Sequence, residues 1–241
     1  MKSNRINLIS GPRNISTALM YSFASRTDTT VVDEPMYAYY LSHVSIDHPG
    51  KKEVLDALPT KLSDVLDQYL FQFISQQYLF IKGMAHHYEG ISDLSFLERV
   101  QNIFLIRNPK QLIASFAQII KNPSIRDIGV KHEYQLYHHL KKLGQEPIVL
   151  DSQEILMDPH GVLTQLCQLL GIPFDAAMLQ WEAGQKSFDG VWGPYWYKNV
   201  WQSTGFKKQK TSDRPFPAHL TPLLTEANYY YDLLSEHSIR A

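Results

Sequence analysis

Two kinds of apolar spacing alternate along the chain. Short runs at Arg5-Ile6-Asn7-Leu8-Ile9-Ser10, Val31-Val32, Tyr78-Leu79-Phe80-Ile81-Lys82, Asn102-Ile103-Phe104-Leu105-Ile106-Arg107 and Pro147-Ile148-Val149-Leu150-Asp151 read as buried strands. Between them the apolar residues fall at helical intervals. Ser16-Thr17 opens a helix with Leu19, Met20 and Phe23, and residues 54–77 set Leu55, Leu58, Leu62, Val65, Leu66, Tyr69 and Leu70 on one broad face. Pro109 starts a helix carrying Leu112, Ile113, Phe116, Ile119 and Ile120, and residues 130–143 form another. Asp158-Pro159 leads into a helix with Val162, Leu163, Leu166, Leu169 and Leu170, closed by Gly171 and Pro173, and Leu223 to Leu234 reads as a closing amphipathic helix. Strands alternating with helices predict an α/β fold of three layers, α/β/α, around a central, mostly parallel sheet. No internal repeat or Pro/Gly/Ser-rich linker divides the chain, so residues 1–241 are expected to be one domain. Residues 181–217 form a long irregular stretch rich in Trp, Tyr, Lys and Pro, and such stretches inside a domain are usually functional or disordered.

Composition narrows the picture. Apolar residues at 44% suffice for a core, and 12% aromatics exclude disordered and collagen-like classes. No run approaches the roughly 18 apolar residues a membrane span needs. The single Cys167 excludes an intrachain disulfide and a cysteine-based zinc site. Together with an N-terminal apolar stretch cut short by Gly11-Pro12-Arg13, unlike an export signal, it favours a reducing cytoplasm. The net charge of −1 hides an uneven distribution. Residues 1–26 carry Lys2, Arg5, Arg13 and Arg26 without an acid, and residues 100–126 carry Arg107, Lys110, Lys121 and Arg126 without an acid. Two basic segments in an otherwise acidic chain point to a local anion site and away from a polynucleotide-binding face.

Strand, turn, then helix at Ser10-Gly11-Pro12-Arg13-Asn14-Ile15-Ser16-Thr17 is a P-loop-type arrangement. Amides at the helix start face an anion, the helix dipole favours negative charge, and two hydroxyls can donate. The G-x-x-x-x-G-K-[ST] pattern of nucleoside-triphosphate sites is not met, and the loop's cation is Arg13. A second segment, Leu105-Ile106-Arg107-Asn108-Pro109, ends a strand, with Ser115 eight residues after Arg107. Each has a plainer reading: an ordinary strand–helix turn, an arginine paired with a surface carboxylate, a solvent-facing serine.

Taken together, Gly-Pro-Arg-Asn-Ile-Ser-Thr at 11–17 and Arg107…Ser115 resemble the sulfotransferase family, which uses 3′-phosphoadenosine 5′-phosphosulfate (PAPS) as sulfuryl donor. Asp151 to Pro159 and Leu169-Leu170-Gly171-Ile172-Pro173-Phe174 extend the likeness, which covers roughly residues 5–180. The resemblance implies that Arg13, Asn14, Ser16 and Thr17 hold the 5′-phosphosulfate and that Arg107 and Ser115 hold the 3′-phosphate. Ile15 stands where the family commonly has Gly. Ser203 to Lys208 fall where members place a basic donor-closing loop, which makes Lys207 and Lys208 donor-binding candidates.

Sulfuryl transfer needs a base for the acceptor proton and cations for the leaving oxygens, and no metal-binding motif is visible. Lys82, 25 residues before Arg107, matches the family lysine near the transferred group. Glu34 in Asp33-Glu34-Pro35 resembles the Glu-Pro pair of some bacterial members, where that Glu is the base. His86 follows Lys82 like the family's K-x-x-x-H arrangement, whereas the position used by cytosolic members holds Met84. Glu34 and His86 are equal candidates. Their plainer readings are a turn cap and a loop histidine, and Lys82 could face solvent. His138-His139 reads as a solvated helix face, and the tract Trp181, Trp192, Tyr195, Trp196, Tyr197 and Trp201 either shapes an acceptor pocket, stacks adenine or packs a loop on the core. The resulting expectation is a PAPS-dependent transferase acting on a hydroxyl or amine of a small acceptor, with catalytic Glu34, His86 and Lys82. The alternatives are a small-molecule kinase and a non-catalytic nucleotide-binding protein.

Overall fold

The computed structural model describes residues 4–46, 48–118, 120–207 and 216–240, so Lys2, Ile119 and Lys208 lie outside the described residues. Five strands form the sheet: β1 (Arg5–Ser10), β2 (Thr29–Asp33), β3 (Tyr78–Met84), β4 (Gln101–Ile106) and β5 (Ile148–Asp151). Their order is β2-β3-β1-β4-β5 and every pairing is parallel. The helices are α1 (Ser16–Ala24), α2 (Tyr37–His43), α3 (Lys51–Ala57), α4 (Leu62–Val65), α5 (Pro109–Phe116), α6 (Ile125–Ile128), α7 (Val130–Lys142), α8 (Ser152–Met157), α9 (Pro159–Leu170), α10 (Gly193–Trp196) and α11 (Thr221–Ser235).

Successive side chains of a strand point to opposite faces, and this parity builds the layers. Ile6, Leu8, Phe80, Ile103, Leu105 and Leu150 pack with α1 and α9 on one face. One residue along, Ile9, Leu79, Ile81, Phe104, Ile106 and Val149 pack with α5, α7 and α11 on the other. The expected three-layer α/β/α fold is therefore the observed one, with a sheet that is wholly parallel. The chain leaves the central strand β1 toward β2, while β4 is followed by β5 on the other side. The crevice between the ends of β1 and β4 is thus a topological switch point, where open α/β sheets bind ligands.

Three predicted boundaries change. The helix expected over 54–77 is broken: α3 ends at Ala57, Leu58 is extended (φ −124°, ψ 152°), and a new start at Leu62 runs into a π-helical turn at Leu66–Leu70. Pro59 is the cause, because proline disfavours the helical region for the residue before it and supplies no N–H. The helix begun by Pro109 stops at Phe116, and β4 ends at Ile106, which leaves Arg107 in the loop. Within 181–207 the chain is irregular apart from α10 and short turns. Among the described residues, no helix is long and apolar enough to cross a membrane.

Candidate active site

The loop after β1 is set by backbone contacts. A Cβ on Gly11 would lie 2.5 Å from the Ile128 carbonyl oxygen, so only glycine lets the loop pass so close to the end of α6. The Gly11 N–H donates to Glu133 Oε1 (3.1 Å), a buried carboxyl on α7 whose pKa burial raises well above the carboxylate range. Asn14 ties the loop to the next strand: its side-chain amide donates to the Leu105 carbonyl (2.5 Å), and its Oδ1 accepts from the Ile15 N–H (2.9 Å). Ile15 is 8% exposed, at φ −90°, and belongs to the core layer of α1 and α9; its position requires no glycine. No side chain caps α1. Its first-turn amides, with Ser16 and Thr17, therefore retain the partial positive charge of a helix start.

Arg13 and Arg107 meet across this loop. Arg13 Nε donates to Ser115 Oγ (3.2 Å), and the Arg107 guanidinium donates to the Arg13 carbonyl. Burial lowers the pKa of both arginines, and the charge of Arg13 lowers that of Arg107 further. Both stay cationic, because a guanidinium does not lose its proton in proteins. Two like charges held this near each other favour negatively charged ligand groups beside them.

A second cluster forms where β2 and β3 end. Asp33 and Lys82 are cross-strand neighbours, and the Glu34 N–H donates to the Lys82 carbonyl (2.7 Å), which extends the ladder by one residue. The Lys82 ammonium, 1% exposed, donates to Asp33 Oδ1 (3.0 Å), Glu34 Oε1 and the Tyr197 hydroxyl (2.7 Å). Two carboxylates thus share one ammonium. Burial, reinforced by Asp33 and opposed by Lys82, raises the pKa of Glu34. Desolvation, the largest single influence on Lys82, pushes its pKa down, but Asp33 and Glu34 together outweigh it and the net shift is upward.

Among the described residues, the two non-glycine positions with positive φ are Arg13 (55°) and Glu34 (39°). Such backbone costs on the order of 1–3 kcal/mol and concentrates at functional sites. Both line one cavity of about 620 Å³, together with Asn14, Ser16, Thr17, Lys82, His86, Arg107, Ser115 and the exposed Lys207. Every predicted site residue among those described therefore lines a single cavity; Lys208 lies outside them.

Other expectations sort differently. His86 sits in the turn after β3, and burial lowers its pKa to about 3, so it is neutral at physiological pH. Its neighbour His87 is 1% exposed and stacks on Tyr37 (4.7 Å) and Tyr40 (5.1 Å). His138 rests on Tyr134 and His139 is exposed, as expected of a helix surface. Of the two basic segments, Arg13 and Arg107 come together at the loop. Arg5 donates to the Leu70 and Gln72 carbonyls, Arg26 pairs with Asp28, and Arg126 pairs with Glu89. The aromatic tract divides: Trp181 and Trp192 are buried away from the cavity, Tyr197 is buried but lines it, and Trp196 lines it as well. The partnership of Asp33, Trp192 and Tyr197 with Lys82 went unread, because no local spacing links residues 33, 82 and 197. The one available signal was an acid-acid-Pro string at a strand end, beside a lysine in the same place on its neighbour. Among the described residues, no group of three or more His, Cys, Asp or Glu side chains is arranged to hold a metal.

The chain is 38% identical over 228 residues to branched-chain-amino-acid aminotransferase-like protein 1 of Arabidopsis thaliana, covering 95% of this chain and 41% of that one. The second protein of that name in the same plant is 34% identical over 232 residues, again with 41% of its length covered. The chain thus spans about two fifths of the length of the curated relatives it matches. Among solved structures, the sulfotransferase domain of the Synechococcus PCC 7002 olefin synthase superposes with a TM-score of 0.62 at 20% identity, covering 96% of this chain and 95% of that one. The sulfotransferase domain of the curacin biosynthetic pathway superposes with a TM-score of 0.60 at 17% identity, covering 100% and 99%. The profile of the sulfotransferase domain matches residues 4–236, and by that match the chain belongs to the sulfotransferase domain family.

Proposed function

We propose that the protein is a cytoplasmic sulfotransferase that moves a sulfuryl group from PAPS to a hydroxyl or amine of a small acceptor. One observation carries the reading: Arg13 and Arg107, two mutually repelling cations, stand beside an uncapped helix start, on the same cavity as the buried Glu34–Lys82 pair. That donor set fits a ligand with two separated anionic groups. Arg13, Asn14, Ser16, Thr17 and the α1 amides hold the phosphosulfate end. Arg107 and Ser115 hold the 3′-phosphate, and Lys207 at the rim adds positive charge. When bound, PAPS supplies a sulfonate already attached to a good leaving group.

Glu34 takes the proton of the attacking hydroxyl or amine. Its raised pKa brings a carboxylate toward the range where a general base works near neutral pH. Lys82 acts through its charge and through Glu34, because its ammonium already donates to Asp33, Glu34 and Tyr197. The Arg13 guanidinium and the loop amides, fixed before the reaction, offset the charge that grows on the leaving phosphate. His86 is neutral and faces the acceptor space as a hydrogen-bonding wall. The lone Cys167, buried in the core, suits a reducing compartment.

Thermal shift tests the donor. Adenosine 3′,5′-bisphosphate (PAP) is expected to raise the melting temperature, while ATP with Mg²⁺ leaves it nearly unchanged. A shift with ATP and Mg²⁺ alone overturns the reading in favour of a kinase.

A further inference from the structure

The segment after residue 181 reaches back to the Glu34–Lys82 pair through one side chain. Tyr197, 5% exposed, accepts hydrogen bonds from Lys82 (2.7 Å) and from Trp192 Nε1 (2.9 Å). It has one proton to donate. That proton faces Asp33 at 2.8 and 2.9 Å, whereas Glu34 Oε1 lies at 3.4 Å. Asp33 also accepts from the Gly190 N–H (3.0 Å) and from Lys82 (3.0 Å). Its charge is therefore met by three donors, two of them from the 189–197 segment. Among the described residues, the Glu34 carboxylate has one short hydrogen bond, from Lys82, and of the two carboxylates it is Glu34 that lines the cavity.

We propose that Tyr197 is a positioning residue: it commits Asp33 to the buried cluster and leaves Glu34 as the carboxylate open to the acceptor. The segment that holds it is firmly seated. Trp192 is 2% exposed, a Cβ on Gly190 would lie 2.1 Å from the Trp192 ring, and Asp189 accepts from Tyr21 (2.7 Å) and from Trp201 Nε1 (2.8 Å). The phenol remains protonated, because burial and then the nearby Asp33 and Glu34 push its pKa well above the ordinary value. The assignment deepens the sulfuryl-transfer reading, which supplies the identity of the proton Glu34 accepts. That proton passes from the acceptor to the Glu34 carboxylate, which becomes a carboxylic acid.

The groups around Glu34 set the sign of the test. Asp33 comes from β2, Lys82 from β3, Tyr197 from the 189–197 segment and Tyr37 from α2, while neutral His86 and His87 follow β3. Phenylalanine at 197 removes the donor that satisfies Asp33, so Asp33 draws harder on Lys82 and Glu34 becomes harder to ionise. Asparagine at 33 removes the competing negative charge, so Glu34 ionises more easily.

The experiment is a carbon-13 NMR titration of the full chain labelled at glutamate carboxyls, with Glu34→Gln identifying the signal. In Tyr197→Phe the Glu34 midpoint moves to higher pH, and in Asp33→Asn it moves to lower pH. Donor-side function is read separately, as the affinity for PAP, and is expected to change less than about threefold, because the side-chain hydrogen bonds of both residues go to Lys82, Trp192, Gly190, Glu34 and each other and none to the loop. Midpoints that coincide with the wild type, or that move in the same direction, overturn the assignment. Should Tyr197→Phe fail to fold, an unmoved Glu34 midpoint in Asp33→Asn still overturns the assignment, because an Asp33 that does not compete with Glu34 leaves Tyr197 nothing to commit. A wild-type protein that titrates as expected but ignores PAP refutes the donor reading and leaves the positioning role standing.

Discussion

Replacing Arg107 by alanine separates the two ends of the proposed donor site. Arg107 donates to the Arg13 carbonyl and shares the cavity with Ser115, which accepts from Arg13 Nε at 3.2 Å. A hydrogen bond to a charged group contributes about 1.5–3 kcal/mol net. At about 1.4 kcal/mol per tenfold, its loss weakens PAP binding about 10- to 150-fold. Two secondary effects partly cancel. The Arg13 carbonyl loses a donor, which loosens a loop held at φ 55°, while the repulsion between the two guanidinium groups disappears. Both act on the loop and hence on any 5′-phosphate. Adenosine 5′-phosphate, which lacks the 3′-phosphate, feels only these two opposed effects and should therefore lose at least about tenfold less affinity than the bisphosphate. Isothermal titration calorimetry with both nucleotides at low and moderate salt makes the measurement. Charge repulsion and attraction at a partly exposed site are screened by ions, so the wild-type preference for the bisphosphate shrinks as salt rises. Equal weakening for both nucleotides refutes the assignment of Arg107 to the 3′-phosphate and reduces it to a support for the loop.

Glu34→Gln keeps shape and hydrogen-bonding reach while removing the base. Turnover with PAPS and a competent acceptor should fall about 10²- to 10⁴-fold with PAP affinity retained, whereas His86→Ala costs under about tenfold; the reverse ranking makes His86 the base. Gly11→Ala places a Cβ 2.5 Å from the Ile128 oxygen, and overpacking of about 1–3 kcal/mol lowers the melting temperature by roughly 2–12 °C. An unchanged melting curve shows that the loop does not need this approach. Burial holds His86 neutral down to about pH 3 and lowers His87 well below its ordinary value, while both titrate near pH 6.5 in the unfolded chain. Their contribution to stability is complete above that pH and is lost as the pH falls from there toward 3, because only the unfolded state then takes up the protons. Urea midpoints should accordingly drop between pH 7.5 and 5, and less so in His87→Gln; parallel curves refute the argument.

Much of the architecture was legible from residue order, and the parts that were share one property: they are local. Parallel strands buried on both faces must be nearly continuous apolar runs, so the five strands could be located within a few residues. A phosphate-type loop is a strand end, a glycine turn and a helix start within seven residues, and Arg107…Ser115 is a single strand-to-helix connection. Local signals failed where a single residue overrode a pattern. The apolar residues from Leu55 to Leu70 do pack inward, but Pro59 divides them between two helices that join two different apolar clusters.

Strand order and the composition of the catalytic cluster followed from contacts that no local pattern carries. Placing β1 between β3 and β4 brings the ends of three strands side by side, which is why Arg13, Arg107 and Lys82 line one cavity. It also explains why most of the two basic segments do not contribute: Arg5 begins β1, at the opposite end of the strands, and the buried Arg26 lies past the end of α1, paired with the partly exposed Asp28. The roles of Asp33 and Tyr197 arise only when residues 164 positions apart meet at hydrogen-bond distance. Sequence spacing names which groups are chemically able to act. Burial and the sharing of one ammonium between two carboxylates decide which of them carries the charge, and both are properties of the packed molecule.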